Sequence, residues 1–255
     1  MNSIEKLFQK KDKNLLSIYF TCGYPNLNDT TKVITELEKS GVDFIEVGLP
    51  YSDPLADGPT IQDSSQKALE NGINLDLIFD QLMEVKGYNK TPLVLMGYLN
   101  QMLKYGEDKF CQKIVDCGID TVILPDLPMI EFENHYKDLF EKYGITNVFL
   151  ITPHTSEERI RKIDSYSKAF IYVVASASIT GAKGDISNNQ VAYFERIKSM
   201  NLQSNLIIGF GISDKQTFTT ACNYANGTII GSAFIKNLGN NGIDKIDDFI
   251  KPIIS

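Results

Sequence analysis

The feature that most limits how this chain can fold is a joint used three times. At Gly41-Val-Asp-Phe-Ile, Gly118-Ile-Asp-Thr-Val and Gly144-Ile-Thr-Asn-Val, a segment with helical spacing stops on glycine and a β-rich run starts within a few residues. Glycine ends helices because it enters the left-handed region without steric cost. Short apolar runs rich in β-branched and aromatic residues predict strands over Leu16–Thr21, Phe44–Val47, Leu93–Gly97, Thr121–Leu124, Asn147–Ile151, Phe170–Val174, Asn205–Gly209 and Thr228–Gly231. Helical spacing lies between them, as in Val33, Ile34 and Leu37, or Phe132, Tyr136 and Phe140. Nearly continuous apolar runs, rather than alternating ones, are the mark of parallel strands covered by helices. Thr155-Ser-Glu-Glu158 and Ser213-Asp-Lys-Gln216 fit capping boxes at helix starts. No linker or shift of composition divides the chain. The pattern therefore predicts an α/β fold: one (β/α)8 TIM barrel domain over residues 1–255, with additional short helices. A doubly wound sheet would carry Gly-x-Gly-x-x-Gly after its first strand, whereas this strand runs into Thr21-Cys-Gly-Tyr-Pro25.

Composition removes several functional classes. A net charge of −7 argues against nucleic acid or an anionic membrane as the main partner. Cys22, Cys111, Cys117 and Cys222 form no Cys-x-x-Cys pair, and the chain has only 2 histidines, so no zinc-type cluster is expected. The first residues lack the apolar stretch of a signal peptide, and no run reaches the ~18 apolar residues that span a bilayer. A soluble protein of the reducing cytoplasm is expected.

In such a barrel, chemistry belongs to the loops at the carboxyl ends of the strands. The densest signal there is Phe44-Ile-Glu-Val-Gly-Leu-Pro-Tyr-Ser-Asp-Pro-Leu-Ala-Asp-Gly-Pro-Thr-Ile-Gln62. Strand alternation puts Phe44, Glu46 and Gly48 on one face, and the opposite face must meet helices, so Glu46 is expected to point into the barrel mouth. Burial raises a carboxyl pKa, which suits a group that gives and takes a proton near neutrality. A structural glutamate hydrogen-bonded to loop backbone is the other reading. The next loop holds Asp53 and Asp57 among Pro50, Pro54, Gly58 and Pro59, residues that stiffen it. These aspartates are either turn formers or the second member of an acid–base pair.

A second constellation is glycine at the ends of the last three strands: Ser178-Ile-Thr-Gly-Ala-Lys-Gly184, Gly209-Phe-Gly-Ile-Ser213 and Ile230-Gly-Ser-Ala233. Glycine lets backbone N–H groups approach an anion, and a helix starting at Gly231-Ser232 would direct its positive end there. A phosphorylated substrate is expected. No predicted strand carries the lysine of a Schiff-base aldolase. His135 falls in a helix, His154 is read as loop surface, and Cys22 as packing.

The Phe44–Gln62 stretch closely resembles the signature of the tryptophan synthase alpha chain family. Tyr19-Phe-Thr-Cys-Gly-Tyr-Pro25, Met96-Gly-Tyr-Leu-Asn100, Leu124-Pro-Asp-Leu-Pro128 and Gly209-Phe-Gly-Ile212 with Gly231-Ser232 follow in the family's order. The resemblance implies a (β/α)8 barrel and a carbon–carbon lyase of tryptophan biosynthesis, which cleaves indole-3-glycerol phosphate to indole and D-glyceraldehyde 3-phosphate by retro-aldol chemistry. It implies Glu46 and Asp57 as the catalytic carboxylates, with Tyr172 and Thr180 in support. Gly181, Gly211, Gly231 and Ser232 match phosphate-binding positions, and Tyr19, Tyr98, Ile123 and Phe210 would line the indole pocket. Pro50, Asp53 and Asn100 match positions near a beta chain, with an alpha2–beta2 complex implied. The alpha chain needs no cofactor and no metal; pyridoxal phosphate belongs to the beta chain. One segment departs from the family: Ala175 and Ser178 replace a usual serine and glycine in the lid after strand six, where serine restricts φ.

Two other readings are set against the lyase. An isomerase on a related sugar phosphate would want a histidine after strand four, where Pro125-Asp126 stands, and an indole-forming cyclase would want a strand lysine. The alternative of another class is a non-catalytic barrel that mainly activates the beta chain; the altered lid is its only support.

Overall fold

A computed structural model of the chain describes residues 1–175, 187–209 and 211–255. Eight parallel strands close into a barrel in chain order: β1 (Leu15–Thr21), β2 (Phe44–Gly48), β3 (Leu93–Met96), β4 (Thr121–Ile123), β5 (Thr146–Ile151), β6 (Ile171–Val174), β7 (Leu206–Gly209) and β8 (Gly227–Ile230). β8 returns to β1 with Leu15 opposite Gly227 and Ile18 opposite Ile230, so no strand edge is left open. Every expected strand is present, with each end within one residue of its predicted place. Every residue of β1 and β2 is buried, because helices cover the outer face and side chains fill the interior.

The three glycine joints behave as the sequence requires, with φ of +85° at Gly41, +78° at Gly118 and +69° at Gly144. The two predicted capping boxes begin one residue later than expected. Ser156, not Thr155, caps the helix Glu157–Tyr166 by accepting from the Arg159 N–H, while the Thr155 hydroxyl accepts from the Thr152 N–H. Asp214, not Ser213, caps Lys215–Cys222 through the Thr217 N–H. The segment after β4 is also less regular than a plain helix: Phe132–Tyr136 is a π-helical turn before the helix Lys137–Tyr143.

The amino-terminal end of the barrel is tied by side chains. Asn2 caps the helix Ser3–Lys10, and Asp120 accepts from both the Ser3 N–H and the Ser3 hydroxyl at 2.7 Å. Asp43 accepts from the Leu16 N–H at 2.8 Å and pairs with Lys11 at 2.7 Å.

Register fixes which side chains meet inside. Tyr19 of β1, Glu46 of β2 and Val94 of β3 are direct partners, and parallel partners face the same way. A Cβ at Gly48 would overlap the Tyr19 hydroxyl, and one at Gly209 would overlap that of Tyr172. Two glycines thus make room for two tyrosines at the carboxyl end of the barrel. Among the described residues, no helix is long and apolar enough to cross a membrane. Cys22 is fully buried, its thiol pushed well up by desolvation, in keeping with a packing role.

Candidate active site

Glu46 lies in the barrel interior with 1% of its surface exposed, and neither carboxylate oxygen has a hydrogen-bond partner among the described residues. A buried, unpartnered carboxylate is costly when charged. Desolvation, with the nearby Asp57 adding to it, raises its pKa from 4.5 to about 8.

Asp57 is 4% exposed and sits just ahead of the helix Pro59–Glu70, whose first turn begins with the proline favoured there. Its loop is pinned by local bonds: the Asp57 N–H donates to the Pro54 carbonyl at 3.1 Å, and Gln62 Nε2 donates to the Asp57 carbonyl at 2.8 Å. The Tyr98 hydroxyl donates to Asp57 Oδ2 at 2.9 Å and accepts from the Ala56 N–H at 3.1 Å. Burial raises the Asp57 pKa from 3.8 to about 6, and the Tyr98 hydrogen bond holds it back. Burial thus raises Glu46 further than Asp57, so a proton held between them resides first on Glu46. Two carboxyls set apart in this way are suited to act as an acid and an anion.

Tyr19 and Tyr172 complete this group. Both are buried, both phenols are held protonated chiefly by desolvation, and both feel the charges of Glu46 and Asp57. Ile123, at the end of β4, is fully buried and paired with Met96 and Val148. It shares its face with Leu150, the partner of Tyr172, and so looks into the barrel. Five of the expected residues, Glu46, Asp57, Tyr19, Tyr98 and Tyr172, thus occupy one electrostatic neighbourhood, and Ile123 faces the same interior.

Around the rim, Gly231 caps the helix Ser232–Asn241 at the end of β8, and the space beside its Cα borders Tyr19 and Ile61. Ser232 is exposed, and Gly211 follows β7 with φ of +80°. β7 and β8 are hydrogen-bonded neighbours, so these glycines stand on adjacent loops. Thr180, Gly181, Phe210 and the altered position Ser178 lie outside the described residues; Ala175 is buried. Of the expected partner-facing positions, Asp53 is exposed, Asn100 is half-buried and Pro50 is buried. His154 is exposed on the loop after β5, and His135 is exposed beside Glu131.

Sequence reasoning missed two residues here. Tyr51 stacks on Tyr98 with ring centroids 5.0 Å apart, and the buried Gln101 bonds to both Tyr98 and Pro50. Only the position of Gln101, three residues after the Tyr98 cap, carried a local signal.

The family model of the tryptophan synthase alpha chain matches residues 5–252. The chain belongs to the tryptophan synthase alpha chain family. It is 56% identical over 253 residues to the tryptophan synthase alpha chain of Flavobacterium johnsoniae, covering 99% of this chain and 100% of the relative. It is 51% identical over 235 residues to that of Bacteroides thetaiotaomicron, covering 92% of each. Among solved structures, the tryptophan synthase alpha subunit of Legionella pneumophila superposes with a TM-score of 0.89 at 30% identity, over 100% of this chain and 97% of the other. The tryptophan synthase of M. tuberculosis in its aminoacrylate-bound form gives a TM-score of 0.87 at 26% identity, covering 100% and 98%. The resemblance and the barrel expected from the sequence are both borne out. The chain is a lyase of tryptophan biosynthesis that cleaves indole-3-glycerol phosphate, and its family pairs with a beta chain. The alternative of a non-catalytic barrel that mainly activates the beta chain is not favoured.

Proposed function

We propose that Glu46 and Asp57 perform the cleavage as a matched acid and anion, within a single barrel domain. The carbon–carbon bond at indole C3 breaks readily only once C3 is protonated, because the indolyl carbanion is a poor leaving group. Protonated Glu46 delivers that proton. The positive charge then developing at the ring nitrogen is stabilised by ionised Asp57, which the Tyr98 hydroxyl orients. As the bond to the glycerol side chain breaks, its electron pair returns to the ring and releases neutral indole. The side-chain hydroxyl loses its proton to Glu46 and becomes the aldehyde, so Glu46 ends the cycle protonated as it began.

The single observation that carries this reading is the contrast between two buried carboxyls in one interior: Glu46 has no hydrogen-bond partner among the described residues, whereas Asp57 accepts from the Tyr98 hydroxyl at 2.9 Å, and burial raises Glu46 further than Asp57. Tyr172 and Thr180 support the reacting side chain. Tyr19, Tyr98, Ile123 and Phe210 hold the indole. Gly181, Gly211, Gly231 and Ser232 receive the phosphate, with the amino terminus of the helix Ser232–Asn241 favouring its charge. Both proton transfers are supplied by side chains, so the alpha reaction uses no cofactor or metal of its own. Pro50, Asp53 and Asn100 belong to loops that meet the beta chain in an alpha2–beta2 complex in the cytoplasm, and pyridoxal phosphate resides in that partner.

Indole release from indole-3-glycerol phosphate tests the assignment. Glu46→Gln and Asp57→Asn should each lower kcat by about 100-fold or more while KM changes little. Turnover close to wild type in either variant removes that residue from the mechanism.

A further inference from the structure

The loop that carries Asp57 is held at both ends by the end of β3 and the segment that follows it. At its entrance, the Leu49 N–H donates to the Met96 carbonyl at 2.8 Å. The next residue, Pro50, has no N–H, and its carbonyl accepts from Gln101 Nε2 at 2.8 Å. At its exit, the Tyr98 hydroxyl engages Ala56 and Asp57. Between the two ends, Tyr51 lies on the Tyr98 ring, and Asn100 Nδ2 donates to the Tyr51 hydroxyl at 2.8 Å.

Gln101 joins these contacts. It is 9% exposed, and its Oε1 accepts from the Tyr98 N–H at 2.9 Å while its Nε2 reaches Pro50. A glutamine or glutamate at this helix position ordinarily returns to the backbone N–H of the cap, and that is the first of the two bonds. The second crosses to a different loop and needs a donor. A carboxamide can accept at one atom and donate at the other; a carboxylate cannot donate.

We infer that Gln101 is a positioning residue for Asp57: its carboxamide ties the Tyr98 backbone to the entrance of the Asp57 loop and thereby sets where the Tyr98 phenol meets the carboxylate. The inference rests on the catalytic role proposed above for Asp57. Among the described residues, the other groups acting on this corner are Glu46 from β2, Tyr19 from β1 and Tyr172 from β6, while Asp126 acts on Tyr98. Among the described residues, the side-chain hydrogen bonds of Gln101 go to Tyr98 and Pro50 and to none of these groups, so its effect on chemistry runs through those two.

The test compares wild type, Gln101→Met, Tyr98→Phe and the double variant in indole release across pH. Gln101→Met should lower kcat about tenfold with KM held within about twofold, and should move the acid limb of the rate profile to higher pH as Asp57 loses its aligned donor. The double variant should be no slower than Tyr98→Phe alone. An unchanged kcat and acid limb in Gln101→Met, or losses that multiply in the double variant, overturn the inference. Gln101→Glu keeps the acceptor for the helix cap and protects against misfolding; it should also lose turnover, and full activity there makes Gln101 a cap only. Asp57→Asn, run alongside, separates the two proposals. If that variant stays active, the role of Asp57 fails. If it is inactive while Gln101→Met is unaffected, only the inference about Gln101 fails.

Discussion

Asp43 and Glu46 stand three residues apart on one stretch of chain, yet their surroundings are opposite. Asp43, at the entrance to β2, accepts the Leu16 N–H and pairs with Lys11. Glu46, inside β2, has no hydrogen-bond partner for either oxygen among the described residues. The first carboxylate is used up by the fold, holding the start of β1 against β2. The second makes no hydrogen bond to the fold among the described residues, as the acid proposed above requires. The same division separates the ends of the barrel: Asp120 at the amino-terminal end accepts from Ser3 and Thr121, whereas at the mouth burial raises the cost of ionising both Glu46 and Asp57, and the Asp57 charge adds to that of Glu46. Stability and catalysis thus draw on carboxylates in opposite ways.

Substitutions at the two ends should therefore behave as mirror images. The largest effect belongs to Glu46→Gln, where loss of the proton donor should reduce kcat by about 1,000-fold, equivalent to about 4 kcal/mol of barrier, with the fold intact. Steady-state assays of the purified protein measure this, and a loss below about tenfold would break the contrast.

Next is the pH dependence of stability. The folded-state pKa of Glu46 lies above its usual 4.5, at about 8. Folded protein consequently holds its proton longer than unfolded chain, so this stabilisation is fully present below pH ~4.5 and is lost as pH rises through ~8. Asp57 acts in the same direction between its usual 3.8 and about 6. Glu46→Gln should match wild type near pH ~4.5 and become more stable than it by on the order of 3 kcal/mol at alkaline pH. Denaturant titrations at a series of pH values check the sign; a stability gap that narrows as pH rises contradicts it.

Asp43→Ala should do the reverse, costing about 2 kcal/mol of stability by leaving the buried Leu16 N–H without its acceptor, while kcat stays within about twofold of wild type. Asp120→Asn is the mildest case. It keeps an acceptor for Ser3 and should cost about 1 kcal/mol, again without effect on turnover.

The barrel and the two carboxylates were legible in the sequence for a common reason. An acid inside an all-apolar run, and a pair of aspartates fenced by proline and glycine, are local exceptions to local rules, so no tertiary knowledge is needed to notice Glu46 and the Asp53–Asp57 loop; the choice of Asp57 over Asp53 came from the family resemblance. The caps at Ser156 and Asp214 were misplaced by one residue because neighbouring side chains could serve equally well; Thr155 was already engaged with Thr152, and the Asp214 carboxylate took the Thr217 N–H. Tyr51 could not be read at all, and Gln101 only as a member of a helix cap. Their meaning depends on two loops meeting, and the bond from Gln101 to Pro50 spans 51 positions of chain. Hydrophobic periodicity carries no information about such a meeting.

The account rests on the protonation of one buried side chain, and that can be observed directly. Carboxyl carbon NMR of protein labelled at glutamate, taken as the difference between wild type and Glu46→Gln across pH, isolates the Glu46 resonance. A titration centred near pH ~8 is the predicted result. A midpoint near ~4.5, the value of a solvated glutamate, would show Glu46 ionised at neutral pH and unable to deliver the proton assigned to it.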